Sequence, residues 1–312
     1  MDKSWTAFMD VGIIHFMIYP EVIGGEGPIV ETASKIAADD FFNVLEITYV
    51  NDPKTRAELK EMLDTAHMRV GFGAQPGLLL NKLNLADLSE SGRRAAVAKI
   101  KEGVDQAYFF GARILALLDG PQSYPGPERA EEAKDQLVKS LGEICQYALD
   151  KATDYELFIS LENFDRAIDK RSLIGPSAEA AEVAARVKEE YSNFGLTIDL
   201  SHLPLLGESP LEALRAARDH VIHIHIGNCY MEDEAHPAYG DQHPRFGLAG
   251  SPNDVEQLVE FLRALFAIGY FEKELPTPKP VVSFEVKPLP GEPAELVIAN
   301  SKRVLKEAWA RL

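Results

Sequence analysis

The chain has 312 residues, of which 46% are hydrophobic and 26% charged, so it can bury the core of one α/β barrel or of two smaller domains. The formal net charge of −17 disfavours nucleic acid and anionic membranes as partners, because binding to phosphates depends on lysine and arginine. Two cysteines, Cys145 and Cys229, are too few for a disulfide framework. The sequence has no signal-peptide pattern and no apolar run of about 18 residues, and we expect a cytoplasmic protein.

Apolar runs alternate along the chain with amphipathic segments, which predicts eight strands that alternate with helices. The predicted strands are, in chain order, about 10–18, 44–49, 69–74, 113–118 and 156–162, two strands within the stretches 194–202 and 221–229, and 281–286. The predicted helices are about 30–38, 53–67, 89–110, 128–150, 176–192, a short one after the sixth strand, 253–268 and 293–312. In the second of these helices, Asp52 is the predicted N-cap and Pro53 the first helical residue.

Strict alternation of strands and helices predicts a parallel sheet, and eight units in a chain of this size predict a single-domain (β/α)8 TIM barrel over residues 1–312. A doubly wound open sheet is the structural alternative. It would need a glycine-rich nucleotide fingerprint, and Gly71-Phe-Gly73 lacks the third glycine. A loop of about 25 residues, at about 227–251, interrupts the pattern, and we expect a loop of this length to be functional or mobile.

Barrel enzymes carry their chemistry where the strands end, and these ends hold ligand-type side chains. The residues are His15, Glu46, Glu162, Asp199, His225 and Glu285. The last four follow neighbouring strands, and charged groups there are costly unless they are paired or bound to a metal. Three carboxylates and one imidazole predict a divalent metal site for Mn²⁺, Mg²⁺ or Co²⁺, with Zn²⁺ also compatible. A polar layer two residues earlier is predicted to orient the ligands, and consists of Ser160, Thr197, His223 and Ser283.

At these residues the chain resembles the xylose-isomerase-like barrels of the sugar isomerase and epimerase group, which includes ketose 3-epimerases, inosose dehydratases and hydroxypyruvate isomerases. The markers of the resemblance are Leu161-Glu162, Asp199-x-x-His202, His223-x-His225-x-Gly227 and Phe284-Glu285. The resemblance implies that Glu162, Asp199, His225 and Glu285 hold one divalent metal, most often Mn²⁺. It also implies that His202 contacts an oxygen atom of a sugar substrate.

The run Glu162-x-x-Asp165-Arg166 is similar to a Glu-x-x-Asn-Arg run of ketose 3-epimerases. Here Asp165 replaces the asparagine, and Ile168 stands where those epimerases carry a second glutamate that binds substrate. These two departures leave the identity of the sugar open.

A metal bound to a keto sugar would stabilise the enediolate that forms when a carbon-bound proton leaves. Glu162 and Glu285 are the predicted general base and general acid, because their strands lie on either side of the Asp199 and His225 pair. Return of the proton to the opposite face gives epimerisation, and return to the adjacent carbon gives isomerisation. Loss of a β-leaving group gives a lyase or dehydratase acting on a keto sugar, an inosose or a 3-keto-glycoside. The residues support the shared first step.

Three other residues are candidates for substrate contacts. Glu46 and His15 are predicted to point inward, where they bind sugar hydroxyls or form a structural ion pair. Arg245, in the long loop, would meet a phosphate or carboxylate of the substrate, or is an ordinary surface residue.

Two other classes of protein remain as alternatives. One is a phosphodiesterase like endonuclease IV, which the net charge of −17 disfavours. The other is a non-catalytic carbohydrate-binding or subunit-type barrel, completed by a partner subunit or by assembly into a homo-oligomer.

Overall fold

The eight apolar runs pair in chain order into a closed parallel barrel in the computed structural model of the protein, which describes residues 3–312. The strands are β1 (Asp10–Ile14), β2 (Val44–Ile47), β3 (Arg69–Gly73), β4 (Ile114–Leu117), β5 (Phe158–Glu162), β6 (Phe194–Asp199), β7 (Val221–Gly227) and β8 (Val281–Glu285). β8 pairs with β1, which closes the ring. The predicted single-domain (β/α)8 barrel is confirmed.

Eleven α-helices, besides four short 3-10 helices, lie around the strands in residues 3–312. They are α1 (His15–Ile18), α2 (Ile29–Ala37), α3 (Pro53–Thr65), α4 (Gln75–Leu79), α5 (Glu90–Phe110), α6 (Ala130–Lys151), α7 (Ser177–Lys188), α8 (His202–Leu206), α9 (Pro210–Ala216), α10 (Val255–Ala267) and α11 (Ala294–Ala310). As predicted, the Asp52 carboxylate accepts from Thr55 N at 2.8 Å and caps α3, which begins at Pro53. No helix in this range has the length and apolar character needed to cross a bilayer.

The first strand is shorter than the sequence predicts. β1 ends at Ile14, and the apolar residues that follow form one helical turn, α1, in which Tyr19 N donates to His15 O at 2.9 Å. A short buried apolar run fits a strand or a helix equally well, so hydrophobicity alone did not distinguish them. The predicted inward-facing strand position of His15 is therefore wrong. Its Nε2 instead lies 2.8 Å from Thr32 Oγ1 on α2.

The register of the last four strands sets which side chains face one another. Asp199 is aligned with His225, and Gly227 with Glu285. An irregularity between Leu196 and Thr197 shifts the pairing of β6 with β7 just before these positions. Because side chains alternate along each strand, this register brings Asp199 and His225 to the same level of the barrel.

The long loop between β7 and α10, residues 228–254, is braced by hydrogen bonds within itself and tied to the barrel near its end. Asn228 Nδ2 donates to Arg245 O at 3.0 Å and to Ser251 Oγ at 2.7 Å. Asn253 Nδ2 donates to Gly227 O at 3.0 Å, which ties the end of the loop back to β7. Between these anchors, Lys287 N donates to His243 O at 2.7 Å, so the middle of the loop is held beside the end of β8.

Candidate active site

The side chains at the carboxyl ends of β5 to β8 converge on one point. Glu162, Asp199, His225 and Glu285 each offer a ligand atom within 4.8 Å of the others, and we call these residues the quartet. His225 Nδ1 lies 3.1 Å from Glu162 Oε1 and 2.9 Å from Glu285 Oε2. The quartet is buried, and only Glu285 keeps some exposure, at 10% of its side chain. The structure thus brings together all four predicted metal ligands.

The chemistry of these donor atoms fits a divalent cation. Three carboxylates enclosed at one point repel one another, and such a set is stable only when positive charge lies among them. Glu285 Oε2 is buried and has no partner in hydrogen-bond geometry, although His225 Nδ1 is close. Nδ1 is also the ring nitrogen that is free to coordinate, because Nε2 of His225 donates its proton to Glu46 Oε2 at 3.2 Å.

Glu46 lies behind His225, on the far side of the ring from the quartet. Its carboxylate accepts from His223 Nε2 at 2.8 Å as well as from His225, and the residue is 2% exposed. Burial alone would raise the pKa of Glu46, but the two histidines hold that pKa well below its usual range. Glu46 was predicted to bind a sugar hydroxyl or to form an ion pair, and in the structure its carboxylate is paired with the two histidines. His223, in the predicted polar layer, contributes to this pair.

The two candidate acid–base residues have opposite pKa shifts. Burial raises the pKa of both carboxyls, but His225 and His202 outweigh burial at Glu162 and lower its pKa. At Glu285, burial and repulsion from Glu162 exceed the attraction of His243 and raise the pKa. Gln75 Nε2 also donates to Glu162 Oε2 at 2.8 Å and favours the ionised carboxylate. Sequence reasoning missed Gln75, because an amide after a strand carries no distinctive signal.

A second group of ligand-type side chains lies beside the quartet. His202 Nε2 is 3.2 Å and His243 Nε2 is 3.0 Å from Asp241 Oδ1. Burial opposes the charged form of each ring, but the Asp241 carboxylate outweighs burial and raises the pKa of His202 to about 10 and that of His243 to about 9. Neither Asp241 nor His243 was assigned a role from the sequence. The only signal was their position in an unusually long loop.

A sequence model of the xylose isomerase-like TIM barrel family matches residues 35–308. The chain belongs to this family. This match confirms the resemblance inferred from the residues at the strand ends. No curated protein is detectably similar to the chain in sequence.

Solved structures share this xylose isomerase-like barrel at low sequence identity. A D-tagatose 3-epimerase-like protein is 22% identical over 97% of this chain and 99% of its own, with a TM-score of 0.70. A 3-keto-D-glucoside 4-epimerase from E. coli is 17% identical over 96% and 99% of the two chains, with a TM-score of 0.66. D-psicose 3-epimerase from Clostridium cellulolyticum H10 is 20% identical over 97% and 96%, with a TM-score of 0.62. At these identities the comparison shows the fold alone.

Two further candidates on this xylose isomerase-like barrel lie outside the quartet. Arg245 was a candidate for binding an anionic group of the substrate. Its Nε lies 2.9 Å from Glu292 Oε1, so the guanidinium forms an ion pair within the chain. His15 begins α1, and its Nε2 lies 2.8 Å from Thr32 Oγ1. Neither residue joins the buried ligand groups.

Asp165, which departs from the ketose 3-epimerase pattern, organises the loop after β5. Its Oδ1 accepts from Ile168 N at 2.5 Å and from Asp169 N at 2.8 Å, and its Oδ2 accepts from Lys170 N at 2.8 Å. This turn directs the Lys170 ammonium to Asp241 Oδ2, 2.9 Å away. The substitution therefore fixes a loop that reaches the second group of ligand-type residues.

Proposed function

We propose that this protein is a divalent-metal-dependent epimerase or isomerase that acts on a keto sugar or related polyol through an enediolate intermediate. The observation that carries the proposal is the quartet, in which Glu162 and Glu285 approach His225 Nδ1 from different strands, at 3.1 Å and 2.9 Å. Three carboxylates and one imidazole favour Mn²⁺, with Mg²⁺, Co²⁺ and Zn²⁺ as alternatives. The epimerases of similar fold, named for tagatose, psicose and a 3-keto-glucoside, are consistent with this substrate class.

The four residues of the quartet would bind the metal, and two of them would also transfer protons. Glu162, Asp199, His225 and Glu285 would hold the metal, which when bound would polarise the substrate carbonyl and acidify the neighbouring C–H group. Glu162, kept ionised by its neighbours and by the Gln75 amide, would remove the carbon-bound proton. Glu285, which ends a different strand from Glu162, would return a proton from the other side of the reacting carbon. Removal from one face and return to the other inverts the carbon.

Proton exchange in D₂O tests this proposal directly. The protein is loaded with Mn²⁺ and incubated with D-tagatose, D-psicose and L-ribulose, and ¹H NMR follows both deuterium uptake at carbon and the appearance of an epimer. We expect exchange with the parent protein, and a loss of about 10²-fold or more in Glu162→Gln and Glu285→Gln, as is typical of acid–base residues. Glu58→Gln, on the exposed face of α3, is the matched control and should keep the parent rate.

Three results would count against the proposal. Metal-loaded parent protein that exchanges no carbon-bound proton in any ketose would exclude the enediolate step for these substrates. Exchange that persists at the parent rate in both glutamine variants would remove the acid–base roles. Release of a leaving group in place of an epimer would assign the protein to the lyase alternative.

A further inference from the structure

A cavity of about 330 Å³ opens at the amino-terminal end of the barrel. Its wall includes the first residues of four strands, which are Val44 of β2, Arg69 of β3, Ile114 of β4 and Val281 of β8. The quartet lies near the carboxyl ends of β5 to β8, so the cavity and the quartet are at opposite ends of the barrel. The volume falls within the range of small-molecule binding sites, about 300–1,000 Å³.

His223 lines this cavity from the interior of the barrel. The residue is 3% exposed, and its Nε2 donates to Glu46 Oε1 at 2.8 Å. Its Nδ1 is buried and has no hydrogen-bond partner within residues 3–312. Because buried polar atoms are almost always hydrogen-bonded, this nitrogen indicates a polar group of a ligand in the cavity. A hydroxyl fits Nδ1 in either state of the ring, since it donates to the neutral ring and accepts from the protonated one.

Two further residues of the wall are consistent with a ligand here. Thr277 Oγ1 is a second buried polar atom that lacks a hydrogen-bond partner in the described part of the chain. Gly71 has no side chain, and a Cβ atom at this position would lie only 2.8 Å from Glu46 Cγ. Glycine therefore leaves Glu46 in place to hold Nε2 of His223, which keeps Nδ1 available to the cavity.

The charged side chains of the wall leave one positive charge without a carboxylate partner. Lys60 pairs with Asp64, and Arg69 pairs with Asp10. Arg113 forms no ion pair among residues 3–312, and its guanidinium carbon lies 3.9 Å from the centroid of the Tyr155 ring. A guanidinium binds a carboxylate through two parallel hydrogen bonds. Arg113 thus indicates that the ligand carries a carboxylate.

We propose that this cavity binds a small hydroxylated organic acid, with its carboxylate on Arg113 and its hydroxyl on His223 Nδ1. Apolar side chains, among them Met68, Val70 and Phe110, form much of the remaining wall and would cover the carbon chain of the acid. The site goes beyond the proposed ketose reaction, because it lies at the other end of the barrel and contains no member of the quartet.

NMR titration of the metal-free protein with 6-hydroxyhexanoate tests this proposal. This anion has one carboxylate, an apolar chain and one hydroxyl. We expect saturable binding of one molecule per chain, and an affinity at least about 10-fold lower in Arg113→Gln, where the charge-assisted hydrogen bonds to the carboxylate are lost. Arg94→Gln, at a position 73% exposed on α5, is the matched control and should bind as the parent does.

Hexanoate and 1,6-hexanediol test the two ends of the ligand separately. Hexanoate lacks the hydroxyl and hexanediol lacks the charge, so each should bind the parent protein about 5-fold or more weakly than 6-hydroxyhexanoate. Equal affinities for hexanoate and 6-hydroxyhexanoate would overturn the contact with His223. Equal binding by the parent and Arg113→Gln would overturn the contact with Arg113, and a parent protein that does not bind 6-hydroxyhexanoate would overturn the site.

A crystal of the parent protein soaked in 6-hydroxyhexanoate gives an independent result that needs no variant to fold. Density for the anion within about 3.2 Å of His223 Nδ1 supports the site. Solvent alone in the cavity, or the anion bound only elsewhere, would overturn it. These measurements use metal-free protein and follow no reaction, so this inference and the proposed ketose reaction can each fail while the other holds.

Discussion

Glu46 Oε2 on β2 lies 3.2 Å from His225 Nε2 on β7, across the interior of the barrel. Glu46 Oε1 at the same time accepts from His223 Nε2 at 2.8 Å, so one carboxylate holds both rings of the His223-x-His225 pair. The bond to Nε2 fixes the orientation of His225 and presents Nδ1 to Glu162 and Glu285. Glu46, predicted either to bind a sugar hydroxyl or to form an ion pair, thus supports a proposed metal ligand from behind.

Removing the charge of Glu46 should weaken metal binding. In Glu46→Gln the His225 ring loses its anionic partner, and we expect metal affinity to fall about 10–100-fold, the usual effect of such supporting groups. Competition with a fluorescent chelator for Mn²⁺ measures this. Glu61→Gln, exposed on α3, is the control. Equal affinities of Glu46→Gln and the parent would show that Glu46 is only a packing partner.

The Gln75 amide should matter for turnover. Gln75→Leu removes the donor that lies 2.8 Å from Glu162 Oε2, and a hydrogen bond to a charged group contributes about 1.5–3 kcal/mol. We therefore expect kcat/KM for the proposed ketose reaction to fall about 10–100-fold. Gln146→Leu, on the exposed side of α6, should leave it unchanged. An active Gln75→Leu enzyme with parent kinetics would contradict a role for this hydrogen bond.

The burial of His15 should make stability depend on pH. Burial lowers the pKa of His15 from 6.5 to about 4, so the unfolded chain binds the proton more strongly than the folded chain between these values. The stability that the neutral, buried His15 ring contributes is fully present near pH 7. This contribution is lost as the pH falls from 6.5 toward 4. Between pH 7 and pH 5 we expect the free energy of unfolding to fall by about 2 kcal/mol more in the parent than in His15→Gln.

Urea unfolding at several pH values checks the His15 prediction. His67→Gln, at an exposed position, should keep the parent dependence on pH. If parent and His15→Gln lose stability in parallel between pH 7 and pH 5, His15 does not contribute to the acid sensitivity.

Arg93 and Arg94 offer a matched test of a buried cation against an exposed one. The Arg93 guanidinium is 1% exposed and contacts Glu90 at 2.8 Å, Glu143 at 2.7 Å and Ser140 Oγ at 3.1 Å. Arg94 is 73% exposed and pairs with Glu90 alone. We expect Arg93→Met to lower the free energy of unfolding by about 3 kcal/mol, and Arg94→Met by less than about 1 kcal/mol. Denaturant titration measures both, and equal losses would contradict the role assigned to burial.

The barrel and the quartet could be predicted from the sequence alone. Strands with period-two alternation, separated by helices, close into a parallel barrel whose carboxyl ends share one face. Once that is known, a carboxylate or imidazole that ends strands five to eight has to lie on that face. Glu162, Asp199, His225 and Glu285 were predictable for this reason.

The remaining residues could be placed only from the folded structure, because their positions in the sequence follow no period. His15 lies in a single helical turn and not in the predicted strand, because hydrophobicity alone does not distinguish a short buried helix from a strand. Asp241 and His243 reached the site on a loop whose path depends on anchors such as Asn228 and Asn253, far apart in sequence. Local patterns record which face of a strand or helix is buried. They do not record where a loop of this length is tied down, since that depends on contacts formed only when the whole barrel has closed.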